Sequence, residues 1–184
     1  MMRFMIGIVA LALVLQSSLT SFADATDDAI VVYWFKVLDG QYKSLKYSDL
    51  NEAKSNNRVA WTEAIKRSSY KDALSLLLEN RGHLKKMEGY FLNYITNAKM
   101  PEGKGDADNF KSNVDGLSLV GCMGFENELL IGFAYKAVGE KAKAAQSFRK
   151  VLDGTTSTKK KHEFSQHYQY LAMYAKQQLK AMGY

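Results

Sequence analysis

Few residue types in this sequence could bind a metal ion or transfer protons: three histidines, one cysteine and 19 acidic residues among 184. The densest group is His162, Glu163 and His167. A zinc-binding helix needs its two histidines four residues apart, so that both rings lie on one face. Here the spacing is five, which separates the rings by about 140° around a helix. With His83 isolated among lysines and expected at the surface, we predict no metal site and no cofactor.

A second candidate for ion binding is the acidic segment that contains Asp106, Asp108 and Asn109. Its spacing suggests a calcium loop, in which a central glycine makes a sharp turn and a glutamate at position 12 binds in bidentate fashion. Lys111 and Leu117 occupy those two positions. The segment therefore lacks the features of an EF-hand.

No residue has the surroundings of an activated nucleophile. Cys122 lies within the apolar segment 119–125, which favours a buried, unreactive thiol, with an intermolecular disulfide as the alternative. Glu126 and Glu128 are two residues apart and should point to different sides of a helix. Because the sequence also lacks a Gly-x-Ser-x-Gly elbow, we predict no catalytic residue. Carboxylates distant in sequence can still converge, so an enzyme remains the alternative.

The elements that would position these side chains are helices. Pro101 is the only proline, and apolar residues recur at intervals of three and four with almost no alternation. The segment 99–115, with Pro101, Gly103 and Gly105, is predicted to be a loop. The predicted helices span 26–40, 48–54, 58–67, 70–80, 83–98, 117–138, 141–152 and 162–182. The sequence therefore predicts an all-α fold.

The most specific pattern is a pair of short helices joined at a glycine. Its small residue, tyrosine, glycine, alanine and aromatic residue are Gly132, Tyr135, Gly139, Ala144 and Phe148. With these positions at the family's spacing, the segment resembles a tetratricopeptide repeat. The two small residues would let the helices approach closely, and the rings would fill the space beside them. We predict that these five residues form the packing core of the unit.

The resemblance covers one unit at about 125–158 and a degenerate one at about 54–87, in which Tyr70, Ala73 and Leu77 match. It implies stacked antiparallel helix hairpins, a fragment of an α-solenoid, closed here by the C-terminal helix. It also implies a concave face that binds another protein or a peptide. The residues expected to line this groove are Glu126, Leu129, Phe133, Lys136, Arg58, Thr62 and Lys66. The alternative for Leu129 and Phe133 is a place in the core.

Residues 1–23 have the pattern of a cleavable signal peptide. Arg3 precedes an aliphatic core at Ile6 to Leu15, and Ser21 and Ala23 are the small residues of a cleavage site. The apolar core is about half the length that a membrane-spanning helix requires. We predict a single helical domain at 24–184 in the periplasm or outside the cell, without stable membrane insertion after cleavage. A retained anchor is the alternative.

The net charge of +6 is spread along the chain, and no basic cluster is interleaved with aromatic residues. This distribution argues against nucleic-acid binding. Two functions remain. The first is an exported scaffold that binds a partner helix or peptide through the concave face. The alternative is an exported helical enzyme or small-ligand-binding protein with an aromatic-lined pocket.

Overall fold

A computed structural model describes residues 27–44, 70–98, 102–157 and 165–184. They form five helices: α1 (Asp27–Ser44), α2 (Tyr70–Asn97), α3 (Lys104–Ala137), α4 (Lys141–Ser157) and α5 (Ser165–Ala181). Across these ranges there is no β-strand, which confirms the predicted all-α fold. The chain divides into two compact units, Met1–Tyr33 and Trp34–Tyr184, and all packing described below lies within the second.

Neighbouring helices of the second unit pack in chain order, α2 on α3 and α3 on α4. Asn80 of α2 binds Asn127 of α3, whereas Asn109 near the start of α3 reaches Tyr94 near the end of α2. The two helices are therefore antiparallel. In contrast, α3 and α5 are parallel, because the pairs Phe125–Tyr168 and Lys136–Gln178 advance together along both helices. Stacked helix hairpins have this alternation of directions.

The turn between α3 and α4 is the hairpin that the sequence predicts at Gly139. Gly139 has φ +85°, a conformation that glycine adopts at little cost. Its N–H donates to the carbonyl of Lys136, and the N–H of Glu140 donates to the carbonyl of Tyr135. This is the hydrogen-bond pattern of a Schellman motif, which satisfies carbonyls that a helix end leaves unpaired. The helix pair with a glycine turn is confirmed.

Three glycines hold the helices close by receiving a phenylalanine ring from the neighbouring helix. A Cβ added at Gly132 would lie 2.5 Å from the ring of Phe148, a distance that real side chains do not tolerate. The same relation holds for Gly116 with Phe91 and for Gly154 with Phe125. Removing the Cβ at these positions lets a ring approach the helix backbone, which raises packing density between helices.

Two predicted boundaries are wrong because glycine did not end a helix. The sequence predicts separate helices at 70–80 and 83–98, but α2 is continuous from Tyr70 to Asn97. Both Gly82 and Gly89 lie on its exposed side with open space around them. A glycine inside a helix costs only about 1 kcal/mol. Burial of Leu77 and Phe91 on the other face offsets that cost.

The predicted loop at 99–115 is also wrong from residue 104 onward, where α3 begins. Pro101 precedes the helix, so it interrupts none of its hydrogen bonds. Lys111 and Asp115 form an ion pair one turn apart, at 2.8 Å. Asn113 is buried and donates to the carbonyl of Asn109. The ion pair and the hydrogen bond of Asn113 therefore stabilise this segment as helix, although its polar composition is typical of a loop.

The helix α4 continues past the predicted end at 152 to Ser157. The hydroxyl groups of Thr155 and Thr156 donate to carbonyls one turn earlier, at Val151 and Leu152. Gly154, which follows the predicted end, lies inside the helix. The predicted helices at 48–54 and 58–67 and the signal segment at 1–23 lie outside the described residues.

Helix α3 is long and apolar enough to cross a membrane by length and composition alone. However, 67% of its most apolar window is buried inside the protein. The same helix carries Asn127 and Glu128, whose side chains bind residues of neighbouring helices. Such burial is typical of the central helix of a packed core.

The exposed glycines of α2 allow a direct test of the helix boundaries. We expect Gly82→Ala to raise the free energy of unfolding by about 0.5–1 kcal/mol, because alanine restricts the unfolded chain and meets no neighbour. Urea denaturation followed by circular dichroism measures the change. A loss of stability would contradict a continuous helix through this position.

Candidate functional site

Four polar side chains converge in the core around one carboxyl group, and we call Gln41, Cys122, Glu126 and His167 the Glu126 cluster. The Oε1 atom of Glu126 lies 2.7 Å from Nε2 of Gln41, which donates a hydrogen bond. It also lies 2.5 Å from Nε2 of His167 and 3.7 Å from Sγ of Cys122. Three helices, α1, α3 and α5, therefore supply partners to a single oxygen atom.

Helical geometry explains how each member reaches this point. Cys122 and Glu126 are four residues apart on α3, so their side chains share one face. Gln41 lies in the last turn of α1 and His167 in the first turn of α5. Cys122 and Glu126 are fully buried, and His167 is 8% exposed. The cluster is a buried polar site whose histidine is nearest to solvent.

The other carboxylate oxygen of Glu126 makes the cluster unusual. Oε2 is buried and has no hydrogen-bond partner among the described residues. A buried acceptor without a partner costs about 1–3 kcal/mol, and more when it is charged. Most such atoms in folded proteins are paired with protein, water or an ion.

An aromatic ring packs against the histidine. The ring of Trp34 meets that of His167 edge to face, with centroids 5.0 Å apart, and meets Tyr174 in the same way at 6.1 Å.

Burial raises the pKa of the Cys122 thiol, and the nearby carboxyl of Glu126 raises it further. Burial likewise raises the pKa of Tyr174, with a smaller increase from Tyr170. The thiol is therefore protonated and poorly nucleophilic at neutral pH.

Glu128 lies on the opposite side of α3 and joins three helices. Its Oε1 atom is 2.9 Å from Arg81 of α2 and 3.5 Å from Lys150 of α4. One turn of α2 earlier, Leu77 accepts a hydrogen bond from the buried Asn127. As the two-residue spacing predicts, Glu126 and Glu128 point to different sides of the helix.

An open groove of about 570 Å³ lies beside Glu128, between α2 and α3. Its lining includes Gly121 and Gly124, where an added Cβ would meet nothing within 4 Å. Basic side chains on its walls come from α2 and α4, and acidic ones from α2 and α3. The lining residues are Arg81, Leu84, Lys85, Glu88, Leu117, Ser118, Val120, Gly121, Gly124, Phe125, Asn127, Glu128, Lys150 and Tyr168. We call this surface the α2/α3 groove.

The residues predicted to line a concave face do not form it together. Glu126 and Leu129 are fully buried and Phe133 is 2% exposed, so all three belong to the core. Lys136 is half-buried and donates to Gln178 of α5. Arg58, Thr62 and Lys66 lie outside the described residues. For Leu129 and Phe133, the structure agrees with the alternative of a core position.

The residues predicted to form the repeat core do lie together. Ala144 and Phe148 are fully buried, Gly132 receives the Phe148 ring, and Gly139 makes the turn. Tyr135 is half-buried, with the ammonium of Lys143 5.6 Å from its ring centroid. The structure therefore places these five residues at and beside the turn between α3 and α4.

The remaining candidates are simpler. His83 lies 3.4 Å from Glu79 on the surface of α2. Asp106, Asp108 and Asn109 are exposed on the first turns of α3, and a helix replaces the loop that calcium would need. Gln41 and His167 lie on other helices, so no local sequence pattern links them to Glu126. The spacing of Cys122 and Glu126 was the only local signal of the cluster.

The described helices define an all-α protein in which neighbouring hairpins pack in chain order around a central helix, α3. No protein-family model, curated protein or solved structure matches the chain.

Proposed function

We propose that the protein is an exported helical interaction module that holds a short segment of a partner protein in the α2/α3 groove. The observation that carries the proposal is the groove itself, an open volume of about 570 Å³ lined by both apolar and charged residues. A volume of this order accommodates a few side chains of a bound segment. The groove lies on a different face from the one that the repeat resemblance implied.

The chemistry of the groove favours an acidic segment with one or two apolar side chains. Gly121 and Gly124 leave the backbone of α3 accessible, and Phe125 offers a half-buried ring to an apolar anchor. Lys85 is exposed in the groove, whereas Lys150 already lies 3.5 Å from Glu128. A bound carboxylate would gain chiefly from Lys85, and such charges fix register and raise association rates more than they raise affinity.

Export and the repeat resemblance support the same function. A cleavable signal at 1–23 would deliver the mature chain to the periplasm or the exterior. Tetratricopeptide repeats bind peptides, and the sequence of the hairpin at Gly139 resembles theirs. The partner would therefore be another exported or envelope protein.

Adjacent lysines of α2 provide a matched test by charge reversal. Lys85 lines the groove, whereas its neighbour Lys86, which is also exposed, does not. We expect Lys85→Glu to reduce capture of the bound protein from a native extract at least about tenfold, the effect of 1.4 kcal/mol. Lys86→Glu should capture it as the wild type does. Quantitative mass spectrometry of co-eluting proteins provides the measurement.

A steric test uses the lining of the groove. Gly121→Leu fills the groove, and Gly105→Leu places the same side chain at an exposed helical glycine elsewhere on α3. If only Gly121→Leu fails to capture the partner protein, the result supports the proposal. Equal capture by both variants would contradict it.

The volume of the groove also favours the second candidate, a small-ligand-binding protein, because pockets for small molecules span about 300–1,000 Å³. Phe125 and Tyr168 meet edge to face at its wall, with centroids 5.7 Å apart. Enrichment of a small molecule without any protein, lost in Gly121→Leu, would favour this candidate over the first.

A further inference from the structure

The Glu126 cluster contains three types of donor atom that bind transition-metal ions. His167 offers Nε2, Cys122 offers Sγ and Glu126 offers a carboxylate oxygen, and all three atoms lie within 4.8 Å of one another. All three residues are buried. The unpartnered Oε2 of Glu126 lies in the same place, so the carboxylate has an acceptor that no described residue satisfies.

The distances suit a tetrahedral ion after small movements. Zinc bonds of about 2.0–2.3 Å place neighbouring donor atoms about 3.3–3.6 Å apart. The separation of Cys122 Sγ from Glu126 Oε1 is 3.7 Å, close to that range. His167 Nε2 is 2.5 Å from the same oxygen and would move outward by less than about 1 Å, or face Oε2 instead. Trp34 already packs against the imidazole and limits its rotation.

The charge of a divalent cation matches that of the ligand set once the thiol has lost its proton. A thiolate, a carboxylate and a neutral imidazole carry two negative charges, which a divalent ion neutralises. An uncompensated charge in a buried site is costly. Binding would release the thiol proton of Cys122 to solvent, because the thiolate is the ligand form. Zinc and similar ions accept mixed sulfur, nitrogen and oxygen donors, whereas magnesium and calcium prefer oxygen alone.

We propose that Cys122, Glu126 and His167 form a buried site for a zinc-type divalent cation that joins α3 to α5. Gln41, whose amide lies 2.7 Å from Glu126, orients the carboxylate from α1. Local spacing in the sequence predicts no metal site, because the histidine of this site is 41 residues from its glutamate. It is independent of the α2/α3 groove.

Cobalt(II) tests the site on the purified full chain, prepared without a histidine tag, treated with a chelator and kept reduced. We expect one equivalent to bind with a thiolate-to-cobalt charge-transfer absorption in the near ultraviolet, which zinc then abolishes. Cys122 is the only cysteine, so this band can arise from no other residue. Cobalt addition that gives no such band overturns the proposal.

Substitutions assign the remaining ligands. His167→Asn and Glu126→Gln should each weaken cobalt binding by at least about 100-fold, since even residues that only orient a ligand contribute 10–100-fold. His83→Asn makes the same change at a surface histidine outside the cluster and should bind as the wild type does. Unchanged affinity in a folded His167→Asn or Glu126→Gln protein overturns the assignment. If neither variant folds by circular dichroism, the wild-type charge-transfer band alone decides.

Discussion

Replacing His167 by leucine, in protein freed of metal, is expected to lower the free energy of unfolding by about 3–5 kcal/mol, the range for breaking a buried pair. The substitution removes a partner of Glu126, whose carboxyl group is fully buried. It also removes the ring that packs against Trp34. Urea denaturation gives the free energies. The same denaturation in the presence of zinc should show stabilisation of the wild type alone, because binding to the folded state raises its stability.

His83 provides the matched control for this substitution. It pairs with Glu79 one helical turn away, and the glutamate side chain is 54% exposed. Solvent screens such a pair, so His83→Leu should cost about 0.5 kcal/mol or less. A cost for His167→Leu no greater than that of His83→Leu would contradict the central place of the Glu126 cluster in the core.

A double variant separates the pair from its surroundings. When both Glu126 and His167 become leucine, no buried carboxyl group remains without its partner, and apolar replacement of both partners is often nearly neutral. We therefore expect the double variant to be more stable than the two single costs predict when added. Strict additivity would indicate that the two side chains do not interact in solution.

The hairpin was predictable because its signals are local. Gly139 requires a backbone conformation that glycine favours, and its flanking residues carry the apolar spacing of helices. Gly132 and Phe148 lie 16 positions apart across one short turn, so little chain separates the residues that meet. The residues that form the sequence pattern of the hairpin are therefore also the residues that contact each other.

Helix boundaries were less predictable because glycine has two roles in this chain. At Gly139 it ends a helix, at Gly82 it lies harmlessly on an exposed face, and at Gly132 it admits a ring. Local propensity distinguishes these roles poorly, since about 1 kcal/mol of helix cost is easily exceeded by burial of neighbours. The predicted loop at 99–115 is wrong for the same reason: its glycines disfavour a helix only weakly, and α3 begins at Lys104.

The Glu126 cluster could be predicted only in part. Cys122 and Glu126 share a helical face by spacing alone, which the sequence shows. Gln41 and His167 reach them only because α1, α3 and α5 meet, and no local pattern encodes that meeting. The zinc motif compares His162 with His167 along one helix, whereas the glutamate that contacts His167 in the structure lies on α3.

The second large effect is expected at Phe148, whose ring occupies the space that a side chain at Gly132 would need. Phe148→Ala should lower the free energy of unfolding by about 3–5 kcal/mol, because it leaves a cavity where a fully buried ring packed. Gly132→Ala should cost about 1–3 kcal/mol by overpacking, since its Cβ would lie 2.5 Å from that ring. Urea denaturation measures both values, and an m-value equal to that of the wild type indicates that unfolding remains two-state.

The two changes should compensate each other, because the new methyl group at position 132 enters space that the ring has vacated. We expect the double variant to be more stable than additivity predicts by at least about 1 kcal/mol, within the range for residues in contact. Gly89→Ala provides the control, because it adds the same methyl group at an open position on α2 and should be additive with Phe148→Ala within about 0.5 kcal/mol. If Gly132→Ala is as additive as Gly89→Ala, α3 and α4 do not pack through this contact, and the repeat-like hairpin loses its physical basis.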